Sequence, residues 1–261
     1  MTVAWWAGLT AMAAYAAAAW PKPARARWPE VALTMGWLAH ALCLALDIFG
    51  FGAVIPGARF GFAPALSATV WIALALHSIE SRFLPLPAVR RVLALAGAAV
   101  VLLAAIFPGE SRPHGGSAWL PLHWSLGVVS YGLFAVALMH AAMLDRAERR
   151  LRARAAPQTP AQAALPLMQI ERLTFRFVEV GFAVLTLALL LGASMAPWRW
   201  DHKTVLSLLG WATFAVLIAG RHGRGWRGRQ ATRWVYAGAG LLLLAYVGSR
   251  FVLEVILHRA G

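Results

Sequence analysis

Arg90-Arg91-Val92-Leu93-Ala94-Leu95-Ala96-Gly97-Ala98-Ala99-Val100-Val101-Leu102-Leu103-Ala104-Ala105-Ile106-Phe107 is the stretch that decides the fold. No side chain from Val92 to Phe107 carries a charge or a hydrogen-bonding group, and the run approaches the roughly 20 residues a helix needs to cross a bilayer. Further apolar runs lie at 3–20, 31–52, 64–81, 120–144, 174–196, 204–220 and 232–257. Hydrocarbon holds no water for backbone N–H and C=O groups, so each span is predicted to be a helix. None shows the alternation of a barrel strand. The expectation is an all-α polytopic membrane helix bundle of about eight transmembrane helices, forming one integral membrane domain over residues 1–261.

Composition points the same way. Of 261 residues, 61% are apolar and 13% charged, which excludes an ordinary water-soluble domain. The net charge of +14 does not indicate nucleic-acid binding, because the basic residues sit in short loops between apolar runs. The one cysteine, Cys43, lies inside such a run. It permits neither a disulfide framework nor a zinc cluster nor a Cys-x-x-Cys-His haem attachment.

Lys22, Arg25 and Arg27, then Arg82, Arg90 and Arg91, then Arg146 to Arg154 with Arg172 and Arg176, then Arg221 to Arg233 all fall in odd-numbered loops. Basic loops stay cytoplasmic, so both termini are predicted to face outward. The first span has no Lys or Arg before it and basic residues after it, and is expected to be retained instead of removed as a signal peptide. From Asp145 the chain is expected to continue as a helix and then become a linker containing Pro157, Pro160 and Pro166.

The eight histidines are the side chains best able to bind a metal or haem iron. On this topology His123, His202 and His258 lie on the outer side. His40 lies mid-span, where a polar side chain is costly without a partner and is a functional candidate by default. His77 and His140 are expected to reach the headgroup region from the cytoplasmic helix ends, and His114 and His222 to be solvated. The loop Ala196-Pro197-Trp198-Arg199-Trp200-Asp201-His202-Lys203 has two readings. One is an aromatic belt at the bilayer interface, and the other is a platform for a planar ligand with Arg199 or Lys203 near its carboxylates. Among intramembrane acids, Glu254 has Arg250 and Glu179 has Arg176 at helical spacing, while Asp47 has no local partner.

The segment Trp200 to Trp211, followed by Gly225-Trp226-Arg227-Gly228-Arg229, resembles the cytochrome c assembly proteins of the CcsA and CcmC type, with the shorter YpjD-like and HemX-like relatives nearest. His123, in Leu120-Pro121-Leu122-His123-Trp124, matches the first external histidine of that family, His258 falls where the second is placed, and His40 matches the transmembrane one. The loop keeps Trp198, Trp200, Asp201 and Lys203 of a longer Trp-rich motif, with His202 in place of its proline and Thr204 in place of its glutamate.

The resemblance implies non-covalent haem b held by His123 and His258 at its axial positions, with Trp198 and Trp200 packed on the macrocycle beside Asp201 and His202. His40 would mark an inner haem position and Arg250 a propionate contact. It further implies a multi-pass protein of the bacterial inner membrane that transports or presents haem, with other cytochrome c assembly components as partners. One alternative is a membrane regulator or scaffold of a cytoplasmic partner in tetrapyrrole synthesis, acting through the basic loops. Another is a small-molecule or ion transporter using Asp47 and His40. No nucleophile elbow, phosphate loop or metalloprotease spacing appears, so an enzyme is not expected.

Overall fold

The apolar runs become helices whose ends fall where the sequence supplies charge, proline or a cap. The computed structural model describes residues 3–21, 27–49, 58–83, 86–112, 119–153, 167–195 and 200–257. Its helices are α1 (Val3–Ala19), α2 (Trp28–Ile48), α3 (Phe62–Glu80), α4 (Pro87–Ile106), α5 (Leu120–Arg152), α6 (Leu167–Met195), α7 (His202–Arg224) and α8 (Gly228–Leu243). Past Leu243, α8 runs on through a π turn (Leu244–Gly248), an α turn (Ser249–Phe251) and a second π turn (Val252–Ile256). Among the described residues, seven helices are long and apolar enough to cross a membrane, counting Gly228–Ile256 as one, and α1 is a shorter apolar helix of 17 residues. The chain is an all-α polytopic membrane bundle.

Two differences from the hydropathy reading have simple causes. Helix α5 extends to Arg152, as expected for the chain past Asp145, and α6 begins at Leu167, ahead of its apolar run, because charged residues end an apolar window without ending the backbone hydrogen-bond ladder. The Glu148–Arg152 ion pair, one turn apart, supports that extension. The polar loops also contain β1 (Ala58–Phe60) and β2 (Glu110–Arg112), paired antiparallel with Ala58 opposite Arg112. Three residues are too few for an alternation pattern to announce them.

The chain packs as two units, the first comprising Met1–Ser117 with Tyr246–Gly261 and the second Ala118–Ala245. In the first, α1 packs on α2 and α4 through the fully buried Tyr15. Its ring lies against Gly36 and Gly97, where an added Cβ would fall 2.7 Å and 2.8 Å from ring carbons. Glycine at these two contacts lets the helices approach, as is usual where lipid supplies no hydrophobic drive between them. Elsewhere in this unit Phe62 meets Phe107 and Phe251, each at a centroid distance of 5.3 Å.

In the second unit Phe134 and Phe214 stack at 4.0 Å in its core. Gly225, at φ +65°, closes α7 in the left-handed conformation that favours glycine, and its N–H donates to the Arg221 carbonyl at 3.1 Å. Trp226 then folds onto Gly220 and stacks on Trp234. Arg221 donates to Glu171 at 3.1 Å and lies over the Phe175 ring, while the hydroxyls of Thr232 and Tyr236 donate to Asp145 at 2.8 Å and 3.0 Å. These residues belong to the later halves of α5 and α7 and the first turns of α6 and α8. The ion pairs and charged hydrogen bonds named here therefore gather at one end of the unit.

Candidate functional site

Histidines held by hydrogen bonds to other helices occur in both units. In the first, His40 on α2 is fully buried, with the Tyr15 hydroxyl 3.1 Å from Nδ1 and Ser67 Oγ 2.7 Å from Nε2. A neutral imidazole donates through one nitrogen and accepts through the other, so two hydroxyls satisfy it in either tautomer. His40 thereby joins α1, α2 and α3. Its cost in an apolar bundle is offset by partners that spacing within one helix does not reveal. Both nitrogens are engaged, so the residues as placed do not fit an iron ligand here; iron would have to displace Tyr15 or Ser67.

In the second unit, His123 is half-buried in the first turn of α5. Its Nδ1 lies 2.9 Å from the Ala188 carbonyl oxygen on α6. A carbonyl only accepts, so Nδ1 carries the proton, and in the neutral ring Nε2 keeps the lone pair that binds metals. Metal-binding histidines characteristically donate their other ring N–H to a carbonyl or carboxylate, which fixes tautomer and orientation. This donor fits haem iron. His123 also rests on Gly192, where an added Cβ would fall 2.8 Å from Cε1. The start of α5, the end of α6 and the start of α7 are opposite the charged end of this unit.

Helix α7 starts at His202, capped by Asp201, whose Oδ1 accepts the Thr204 N–H at 2.8 Å. That backbone hydrogen bond holds the Asp201 carboxyl below the usual carboxylate range, with Lys203 and His202 adding to the effect. Trp200, Asp201 and His202 are exposed, Trp200 at 75%. Trp198 and His258 lie outside the described residues.

Arg250 sits between the two π turns of the last helix, 5% exposed, with Nη1 3.9 Å from Glu110 Oε2. This ion-pair partner comes from β2, in a different element from Arg250. Asp47 likewise finds Arg59 of β1 at 3.2 Å. Glu179 bonds His222 of α7 at 3.0 Å, across helices instead of to Arg176, so His222 is exposed but not merely solvated. His77 and His140 are buried within the protein at 2% and 0% exposure; His140 lies mid-helix because α5 continues three turns past it.

Sequence reasoning missed Tyr15, Ser67, Ala188 and Gly192. Gly192, at the end of Leu189-Leu190-Leu191-Gly192, carried a signal, since glycine in an apolar span marks close approach. The Ala188 carbonyl carried none, because a backbone acceptor is the same at every residue.

With that geometry in place, the profile of the cytochrome c assembly protein family matches residues 28–257. The chain belongs to that family. It is similar to the inner membrane protein YpjD of Escherichia coli strain K12, with 33% identity over 159 residues, covering 59% of this chain and 60% of the relative. It is also similar to the cytochrome c biogenesis protein CcsA of Synechococcus sp. strain CC9902, with 32% identity over 171 residues and 56% of each chain covered. CcsA of Prochlorococcus marinus strain MIT 9303 is 34% identical over 99 residues, 36% of this chain and 31% of the relative. The chain thus spans about three fifths or less of the curated relatives it matches. No solved structure matches it.

Proposed function

We propose that this chain binds haem as cargo and takes part in cytochrome c biogenesis in the bacterial inner membrane, with Nε2 of His123 as the atom that would hold the iron. The observation that carries the reading is the bond from His123 Nδ1 to the Ala188 carbonyl, which leaves Nε2 as the free donor. Membership of the cytochrome c assembly family supports it, as do relatives named for the inner membrane and for cytochrome c biogenesis. With the arginine-rich loops on the cytoplasmic side, the start of α5 and the Trp200-Asp201-His202 corner both face outward. That is the side on which haem would be presented to other assembly components. The haem would contribute iron and propionates; the protein would contribute an oriented imidazole and an exposed aromatic corner.

The test is a hemin titration of the detergent-purified protein, followed by visible absorption in both oxidation states. Wild type should give a six-coordinate spectrum that is lost in His123→Ala. A neutral imidazole is required, so binding should weaken as the solution is acidified. A wild-type protein that stays colourless with excess hemin, or a His123→Ala variant with the wild-type spectrum, would refute the reading.

A further inference from the structure

We infer that Gly192 is a positioning residue for His123: lacking a side chain, it leaves the Ala188 carbonyl open to the imidazole, and that carbonyl selects the tautomer whose Nε2 takes a ligand. The identity of the ligand rests on the haem reading above. The geometry of the seat does not.

In an α-helix each Cα–Cβ bond tilts toward the N terminus, so a side chain covers the turn before its own Cα. The residue placed to cover the carbonyl of 188 is therefore 192, one turn later. That carbonyl already accepts the residue 192 N–H in the helical ladder and has one lone pair left. With glycine at 192 the second lone pair is reachable from the side, and Nδ1 of His123 occupies it at 2.9 Å. The ring lies over the place a side chain would take: a Cβ built on Gly192 falls 2.8 Å from Cε1, 3.3 Å from Nδ1 and 3.7 Å from Nε2. The ring is no flexible tip that swings aside, since its own backbone is fixed in the first turn of α5 and its Nδ1 is tied to α6. Alanine at 192 must lift the ring from its acceptor. Once Nδ1 loses that carbonyl, nothing holds the proton there, and the tautomer protonated at Nε2, which cannot ligate through that nitrogen, becomes populated.

Gly127 supplies an internal control. It lies one turn after His123 on α5, and an added Cβ there meets nothing within 4 Å. Alanine at 127 makes the same chemical change next to the same histidine without touching its seat.

The full chain is prepared in detergent with ring-15N histidine and without haem, and the His123 signals are assigned by their loss in His123→Gln. Wild type and Gly127→Ala should show a protonated, pyrrole-type Nδ1 and a bare, pyridine-type Nε2. Gly192→Ala should lose that pattern, and its hemin dissociation constant should rise about 10- to 100-fold, the range seen when support for a ligating histidine is removed. A wild-type His123 protonated at Nε2 overturns the inference, as does a Gly192→Ala protein that keeps both tautomer and affinity. If Gly192→Ala does not fold, a wild-type His123 protonated at Nε2 still overturns the inference. A wild-type protein with the bare Nε2 and no hemin binding would refute the haem reading while supporting the seat.

Discussion

Trp37 and Trp71 exchange hydrogen bonds: each indole Nε1 donates to the other residue's carbonyl oxygen at 3.1 Å, with the rings stacked 4.7 Å apart. The pair fixes the register of α2 against α3. His40 lies one turn past Trp37, and Ser67 lies one turn before Trp71, so in antiparallel helices the same register brings Ser67 Oγ to His40 Nε2. Trp37→Phe and Trp71→Phe keep an aromatic ring but remove one N–H donor each. Each should cost about 1 kcal/mol of stability. Because the two donors share one stack, the double variant should cost less than the two single losses together, read by thermal unfolding in detergent.

His40→Ala should lower the unfolding midpoint, since it strands the Tyr15 and Ser67 hydroxyls in a dry bundle at a cost of about 1–3 kcal/mol. The hemin titration attributed to His123 should be unchanged. Loss of part of the haem in this variant would instead mark an inner iron site and would require the hydrogen bonds at His40 to open.

Gly36→Ala and Gly97→Ala press on opposite sides of the Tyr15 ring. Each should destabilise the chain by about 1–3 kcal/mol, the usual cost of overpacking. Tyr15→Leu in the same chain should relieve most of that added cost. Unfolding that shows no such relief would place the damage elsewhere than at the ring.

Asp201 gives the pH prediction. Its folded carboxyl titrates below the ordinary range, so its contribution as a cap is fully present above the unfolded value and is lost as pH falls through the folded one. Wild type should therefore lose stability relative to Asp201→Ala only in acid, below about pH 4. At neutral pH the variant should be weaker by about 1 kcal/mol, the ordinary worth of an N-cap. A difference between the two proteins that is the same at neutral and acid pH would disprove this role.

The membrane bundle was legible because hydrophobicity along a span is a property of consecutive residues. The seven long helices lie where the apolar runs lie, and even the extension past Leu144 is foreshadowed by charges at helical spacing. The surroundings of His40 and Asp47 were not legible, because their partners Tyr15, Ser67 and Arg59 come from other elements. His123 was visible as a histidine opening a helix, but what orients it is a backbone carbonyl 65 residues away. A side chain can be read from a sequence; an uncovered carbonyl is visible only once two helices have been laid together.

The first unit is assembled from two segments far apart in sequence, residues 1–117 and 246–261. Helices α1 to α4 leave the ribosome first, yet Phe62 gains Phe251, and Glu110 gains Arg250, only when the last helix has been made. The second unit, by contrast, needs no residue beyond Ala245. Although it holds the earlier helices, the first unit is therefore the later of the two to have all its contacts within reach.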